Sequence, residues 1–158
     1  MNVEIINPFV NAVFNTFETM VGKCPTRESP YLKDNARAQG DVTGVIGFAE
    51  KKLHGSVALS FPSFTAIKVY NAVMGENVNR LTRDVQDLVG ELANIVAGGT
   101  KQVLAEKDLS HHISIPTIIV GKDHSIRHQL NIPVLVVPFT LEGDPFILEV
   151  TLKLTNRS

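Results

Sequence analysis

Residues 41–63 read DVTGVIGFAEKKLHGSVALSFPS, and the alternation in this stretch decides the fold class. Leu53, Gly55, Val57, Leu59 and Phe61 share one parity, while His54, Ser56, Ala58 and Ser60 share the other. A period of two with one apolar face marks a half-buried strand. Asp41 to Phe48 supplies Val42, Val45, Ile46 and Phe48, with Gly44 and Gly47 softening the pattern. Glu50, Lys51 and Lys52 form a polar hairpin connection, so the two strands pair antiparallel. Pro62 and Ser63 then open a short helix through Ala66, Ile67, Val69, Tyr70 and Val73, closed by Gly75.

Upstream, Ile6, Phe9, Val10, Val13, Phe14, Phe17 and Met20 recur at spacings of three and four, which predicts an amphipathic helix within Val3 to Met20. Pro8 fits only near a helix start, which points to Asn7 as the cap, and Gly22 is the expected terminator. Residues 23–40 are polar, with Pro25, Pro30 and Gly40, and read mainly as loop with room for a short strand. Downstream, a long helix is expected from Arg83 to Lys107, with Thr82 as cap and Asp84 in the first turn. Apolar, β-rich runs follow at Ile115–Val120, Ile132–Thr140 and Phe146–Leu154, and Glu142 to Pro145 turns the last two into a hairpin. A short strand is also expected within His124 to His128. The order α-β-β-α-α-β-β-β predicts an α+β fold, a mainly antiparallel sheet packed by about three helices.

At 158 residues, with 44% hydrophobic and 20% charged residues, residues 1–158 read as a single domain able to bury its own core. A net charge of −1 gives no electrostatic footprint for nucleic acid or an anionic membrane. The lone Cys24 fits a reducing compartment. Residues 1–4 carry no basic region ahead of an apolar run, and no apolar stretch reaches the roughly 18 residues of a membrane span. The expectation is a cytoplasmic protein.

The long helix carries the chemistry. Val85, Leu88, Val89, Leu92, Ile95, Val96, Gly99 and Val103 fall in one sector at about 100° per residue, the expected core face. Asp84, Asp87, Glu91, Asn94, Gly98, Lys101 and Gln102 fall opposite. Glu91 and Asn94 are three apart and so can touch one object together. Gly90, Ala93, Ala97 and Gly98 surround them with little or no side chain. A glycine inside a helix costs about 1 kcal/mol relative to alanine, so Gly90, Gly98 and Gly99 each need a reason. For Gly99 the expected reason is close approach of another element; for Gly98 it is an external body lying against the helix. A polar helix face is most often only the solvated one.

Residues 87–99, DLVGELANIVAGG, resemble the signature helix of the CheC/CheX/FliY phosphatases of bacterial chemotaxis: an acidic or serine residue, then Glu-x-x-Asn, then small residues. The flanks are similar too: NPF at 7–9, GDVTGVIG at 40–47, GSVALSFP at 55–62, IPTIIVG at 115–121 and PVLVVPF at 133–139. The resemblance implies a CheC-like fold and a phosphatase acting on the phosphoaspartate of a CheY-like response-regulator receiver domain. It also implies that Asn94 inserts its amide and orients the attacking water, and that Glu91 pairs with the receiver's active-site lysine. Asp87, Gly90 and Gly98 would meet the partner. The chain would need no cofactor of its own, because the Mg²⁺ belongs to the receiver, and a homodimer built through the sheet is expected. The rival reading is a non-catalytic adaptor or flagellar-switch-type module on the same fold. Retention of the Asn94 amide beside Glu91 favours the enzyme.

A second Glu-x-x-Asn, Glu4 to Asn7, is followed by bulky Phe9 and Val10 and disturbed by Pro8, so one site is expected. His111, His112, His124 and His128 match no zinc spacing and read as loop and strand-end residues. Gly98 to Lys101 lacks the glycine spacing of a phosphate-binding loop and lies in the expected helix.

Overall fold

The computed structural model describes residues 3–33, 40–50, 52–107, 109, 112–127 and 132–154. The helices are α1 (Val3–Thr16), α2 (Ser63–Met74), α3 (Arg83–Gly98) and α4 (Lys101–Glu106), with a π-helical turn at Phe17–Val21. The strands are β1 (Thr26–Arg27), β2 (Tyr31–Leu32), β3 (Gly40–Ala49), β4 (Leu53–Phe61), β5 (Thr117–His124), β6 (Leu135–Leu141) and β7 (Asp144–Leu154). The strands form one antiparallel sheet in the order β1-β6-β7-β4-β3-β5, with β2 also paired to β6. The expected hairpin is there, Val42 opposite Phe61 and Phe48 opposite Gly55.

Three helices bury the apolar face of the sheet. Phe9 meets Phe48 at 5.5 Å between ring centroids, and Phe14 meets Phe139 edge-on at 5.7 Å. Phe146 stacks on Phe17, Phe61 and Phe139 at 4.7, 5.1 and 5.2 Å, joining the end of the first helix to three strands. This packing corrects the expected start of α1. The helix runs from Val3 with Pro8 inside it, rather than from an Asn7 cap. Losing one backbone bond and straining a turn costs about 3 kcal/mol, while burying Ile5 and Ile6 returns roughly 1.5–3 kcal/mol each. Gly22 ends the π-turn as expected, at φ 78°, with its N–H on Phe17 O at 2.9 Å.

The opposite face holds a buried polar layer. Thr43 and Ser60 share a 2.7 Å hydrogen bond, and Thr43 Oγ1 lies 2.7 Å from His124 Nε2. His124 Nδ1 lies 2.7 Å from the Gly121 carbonyl, which can only accept, so in the neutral ring Nδ1 carries the proton and Thr43 donates to Nε2. Buried Lys33 pairs with buried Glu149 at 2.7 Å and also donates to Ile126 O. Thr151 Oγ1 donates to Pro133 O at 3.2 Å. These contacts hold Ile126, after β5, and Pro133, before β6, to this face of the sheet.

The short strand allowed within 23–40 is there as two, β1 and β2. Other boundaries moved: β5 absorbs His124, and residues 125–127 are not strand. His111 and His128 lie outside the described residues. The expected 83–107 helix is two. Thr100 Oγ1 donates to Ala97 O at 2.7 Å and Thr100 N to the same carbonyl at 3.3 Å, tightening the turn between α3 and α4.

Candidate functional site

α3 starts as its sequence dictates: Thr82 Oγ1 accepts from Val85 N at 3.2 Å, and Asp84 sits in the first turn. Its apolar stripe, Val85, Val89, Leu92 and Val96, is buried on the sheet. Two glycines set how deeply it sits. A Cβ built at Gly44 of β3 would stand 2.9 Å from Ala93 Cβ and 3.0 Å from Val89 O. One built at Gly90 would stand 2.8 Å from Ile118 Cδ1 on β5. Missing side chains therefore let α3 pack down onto the paired strands β3 and β5 at close range.

On the outer face the chemistry-bearing residues are presented together. Asp87 and Glu91 are exposed, Asn94 is half-buried, and Gly98 is open, with nothing within 4 Å of a built Cβ. Glu91 and Asn94 lie one turn apart, roughly 5–6 Å between Cβ atoms. Among the described residues, neither side chain has a hydrogen-bond or ion-pair partner, although Asn94 is flanked by buried Ala93 and half-buried Ile95. A carboxylate and a primary amide, fixed on a packed helix and uncommitted to the protein, form a preset pair of polar groups for an outside partner. Among the described residues, no three His, Cys, Asp or Glu side chains come together in a way that could hold a metal.

The sequence placed Gly90 and Gly99 differently. Gly90 is buried under Ile118, so it acts on the site from below by seating the helix, and it offers no open surface. Gly99 is exposed, where a core position was expected, because it borders an open groove against α1. Ala12 of α1 does approach it, at 3.4 Å from a built Cβ. Ile95 is half-buried and Val103 is 40% exposed, so the expected core sector stops short of both. Instead they line a groove against α1 that periodicity did not reveal.

Three other titratable groups are settled elsewhere. Asp41 accepts from Ser63 N at 2.7 Å and Ser63 Oγ at 2.9 Å, and from Asp123 N at 2.9 Å, tying the start of α2 to the end of β5. Those bonds, the Asp123 amide foremost, hold its carboxyl below the usual carboxylate range. Local desolvation of the exposed Cys24 thiol, then the Glu18 carboxylate, pushes it up, which leaves little reactive thiolate. His124 is engaged in the buried layer described above.

An antiparallel sheet covered by helices, with an uncommitted Glu-x-x-Asn pair on the outer face of one of them, defines an α+β class of protein. Known proteins narrow the class. The model of the CheX family, described as chemotaxis phosphatase CheX, matches residues 42–140. The CheY-P phosphatase CheX of Thermotoga maritima is 31% identical over 130 residues, covering 80% of this chain and 82% of that protein. A CheC-like superfamily protein of Shewanella sp. PV-4 is 32% identical, with a TM-score of 0.91 over 97% of this chain and 99% of the other. CheX of Borrelia burgdorferi, solved in a complex with CheY, BeF3 and Mg²⁺, shares the fold at 22% identity and a TM-score of 0.81, over 96% and 99% of the two chains. The chain belongs to the CheX family of chemotaxis phosphatases.

Proposed function

We propose that the chain accelerates hydrolysis of the phosphoaspartate on a CheY-like receiver domain, in chemotaxis or a related two-component circuit, with Asn94 and Glu91 as its working residues. One observation carries the assignment to these residues: a half-buried amide and an exposed carboxylate, adjacent on a rigid helix, have no partner among the described residues. Phosphoryl transfer asks a protein for positioning and charge compensation more than for covalent help. The Asn94 amide offers acceptor and donors at once, so it can hold a water in line without a shifted pKa. Glu91 meets the receiver's lysine, which fixes the height and rotation of α3 over the phosphoryl group. Asp87 and Gly98 extend the contact along the same face. Mg²⁺ stays with the receiver, and this chain supplies no ligand to it.

Two further parts belong to the proposal. The site works in the cytoplasm, where receivers are phosphorylated. The chain pairs with a second copy through β5, which is bonded to β3 on one side only and exposes Val120 at 47% and, just before it, Ile115 at 86%. β5 is the long open edge, because β6 and β7 are flanked on both sides and the opposite edge consists of the two-residue strands β1 and β2. The discriminating experiment loads a CheY-type receiver with radioactive phosphate and follows its decay. Catalytic acceleration at substoichiometric amounts of this chain supports the reading. Unchanged or slowed decay despite binding would make the chain an adaptor.

A further inference from the structure

Beside α3, on the flank away from β5, α1 and α4 enclose a groove of about 560 Å³. One wall presents Asn7, Asn11 and Asn15, and the other Ile95, Gly99 and Val103. The three asparagines are exposed and four residues apart, so they stand in one row along α1. Asparagine is a mediocre helix former, and a row of three gains the helix nothing. The buried floor includes Pro8 and Ala12, and the one charged side chain in the lining is Lys107. Each primary amide offers acceptor and donors, so the row suits the peptide groups of a protein surface better than a charged metabolite.

We infer that this groove receives the part of the receiver domain's surface next to its phosphorylation site, and so sets which receiver is accepted. The inference rests on the docking of a receiver over Glu91 and Asn94 proposed above. Area decides it. A stable specific interface covers about 800 Å² per partner and 20–30 residues a side. Asp87, Glu91, Asn94 and Gly98 form a single strip on one helix and cannot supply that. A receiver seated on the strip has to spread over a flank. Ile95 and Gly99, the residues directly after Asn94 and Gly98, already belong to the groove wall, so the docking face continues into the concavity without a break. The β5 flank ends in an open strand edge suited to a second copy of this chain. The occupant is therefore an uncharged, partly apolar segment of the receiver with accessible main-chain groups.

Two variants at exposed groove positions, Asn11→Ala and Val103→Glu, test this beside Asn94→Ala, with thermal melting to verify the fold of each. The reaction is dephosphorylation of a CheY-type receiver, read as kcat and KM separately. Val103→Glu should raise KM about tenfold and Asn11→Ala about threefold, with kcat within about twofold, while Asn94→Ala should lose kcat at similar KM. The beryllofluoride-activated receiver with Mg²⁺ should lose affinity in step with the KM changes. If both groove variants keep wild-type KM and affinity while Asn94→Ala loses kcat, the receiver does not reach the groove and this inference falls, with the phosphatase reading intact. A fall in kcat at unchanged KM also overturns it. Full kcat in Asn94→Ala would overturn the reading beneath and the groove assignment with it.

Discussion

Replacing Gly98 with leucine separates docking from stability at one position. A Cβ there has nothing within 4 Å, so a side chain can start from this position without meeting its neighbours. Leucine is a better helix former than glycine by up to about 1 kcal/mol, and Gly98 is the last residue of α3, so the gain should be roughly half of that. For a domain of this size, that raises the melting temperature by about 1–2 °C. A receiver lying against the face meets the leucine first. A separation near 1 Å at the reacting atoms costs about a hundredfold where catalysis rests on positioning. Gly44→Ala is the internal control, because its Cβ would press within 2.9 Å of Ala93 Cβ and destabilise by about 1–3 kcal/mol. The assay pairs differential scanning calorimetry with the dephosphorylation rate of a receiver. Gly98→Leu with full activity would show that no partner lies on this face. A drop in its melting temperature would show that Gly98 is packed and that the helix phase is wrong.

Glu91→Lys places like charges together at the receiver's lysine and should weaken receiver binding by at least about tenfold at low salt, read by titration; unchanged affinity would put Glu91 outside the interface. Asp41 is held below its ordinary range, so its stabilisation is present above the unfolded pKa of about 3.9 and lost as pH falls through the lower folded value. Asp41→Asn should therefore cost about 1–3 kcal/mol at neutral pH and flatten the acid limb of the stability profile, measured by urea unfolding from pH 2 to 7. Light scattering at micromolar concentration should give about twice the 17.3 kDa chain mass, and Ile115→Lys with Val120→Lys should return the chain to one copy; a monomer at the start would refute pairing through β5.

Strong periodicity made most of the fold legible. The alternation in β4 and β7, the Thr82 cap and the terminating Gly22 each follow from local chemistry, and they stand where the sequence put them. What was not legible depended on distant partners. Pro8 is tolerated inside α1 because Ile5, Ile6 and Phe9 find a sheet to bury against, which no window along the chain records. The break at Gly99 and Thr100 looked like continuous helix because the residues after it keep good helix propensity; only the Thr100 hydroxyl marks it. Glu91 and Asn94 were readable because the helical period forces them outward together. Gly90 and Gly98 are identical in sequence, and only the position of Ile118 tells the packed one from the open one.

The most direct test is the release of phosphate from a phosphorylated CheY-type receiver under single-turnover conditions, with wild-type chain and with Asn94→Ala at saturating concentration. If the half-buried amide orients the attacking water, the variant should bind the receiver and leave its decay at the intrinsic rate, a loss of about 10²-fold or more from the wild-type acceleration. Wild-type acceleration by Asn94→Ala would contradict the account at its centre.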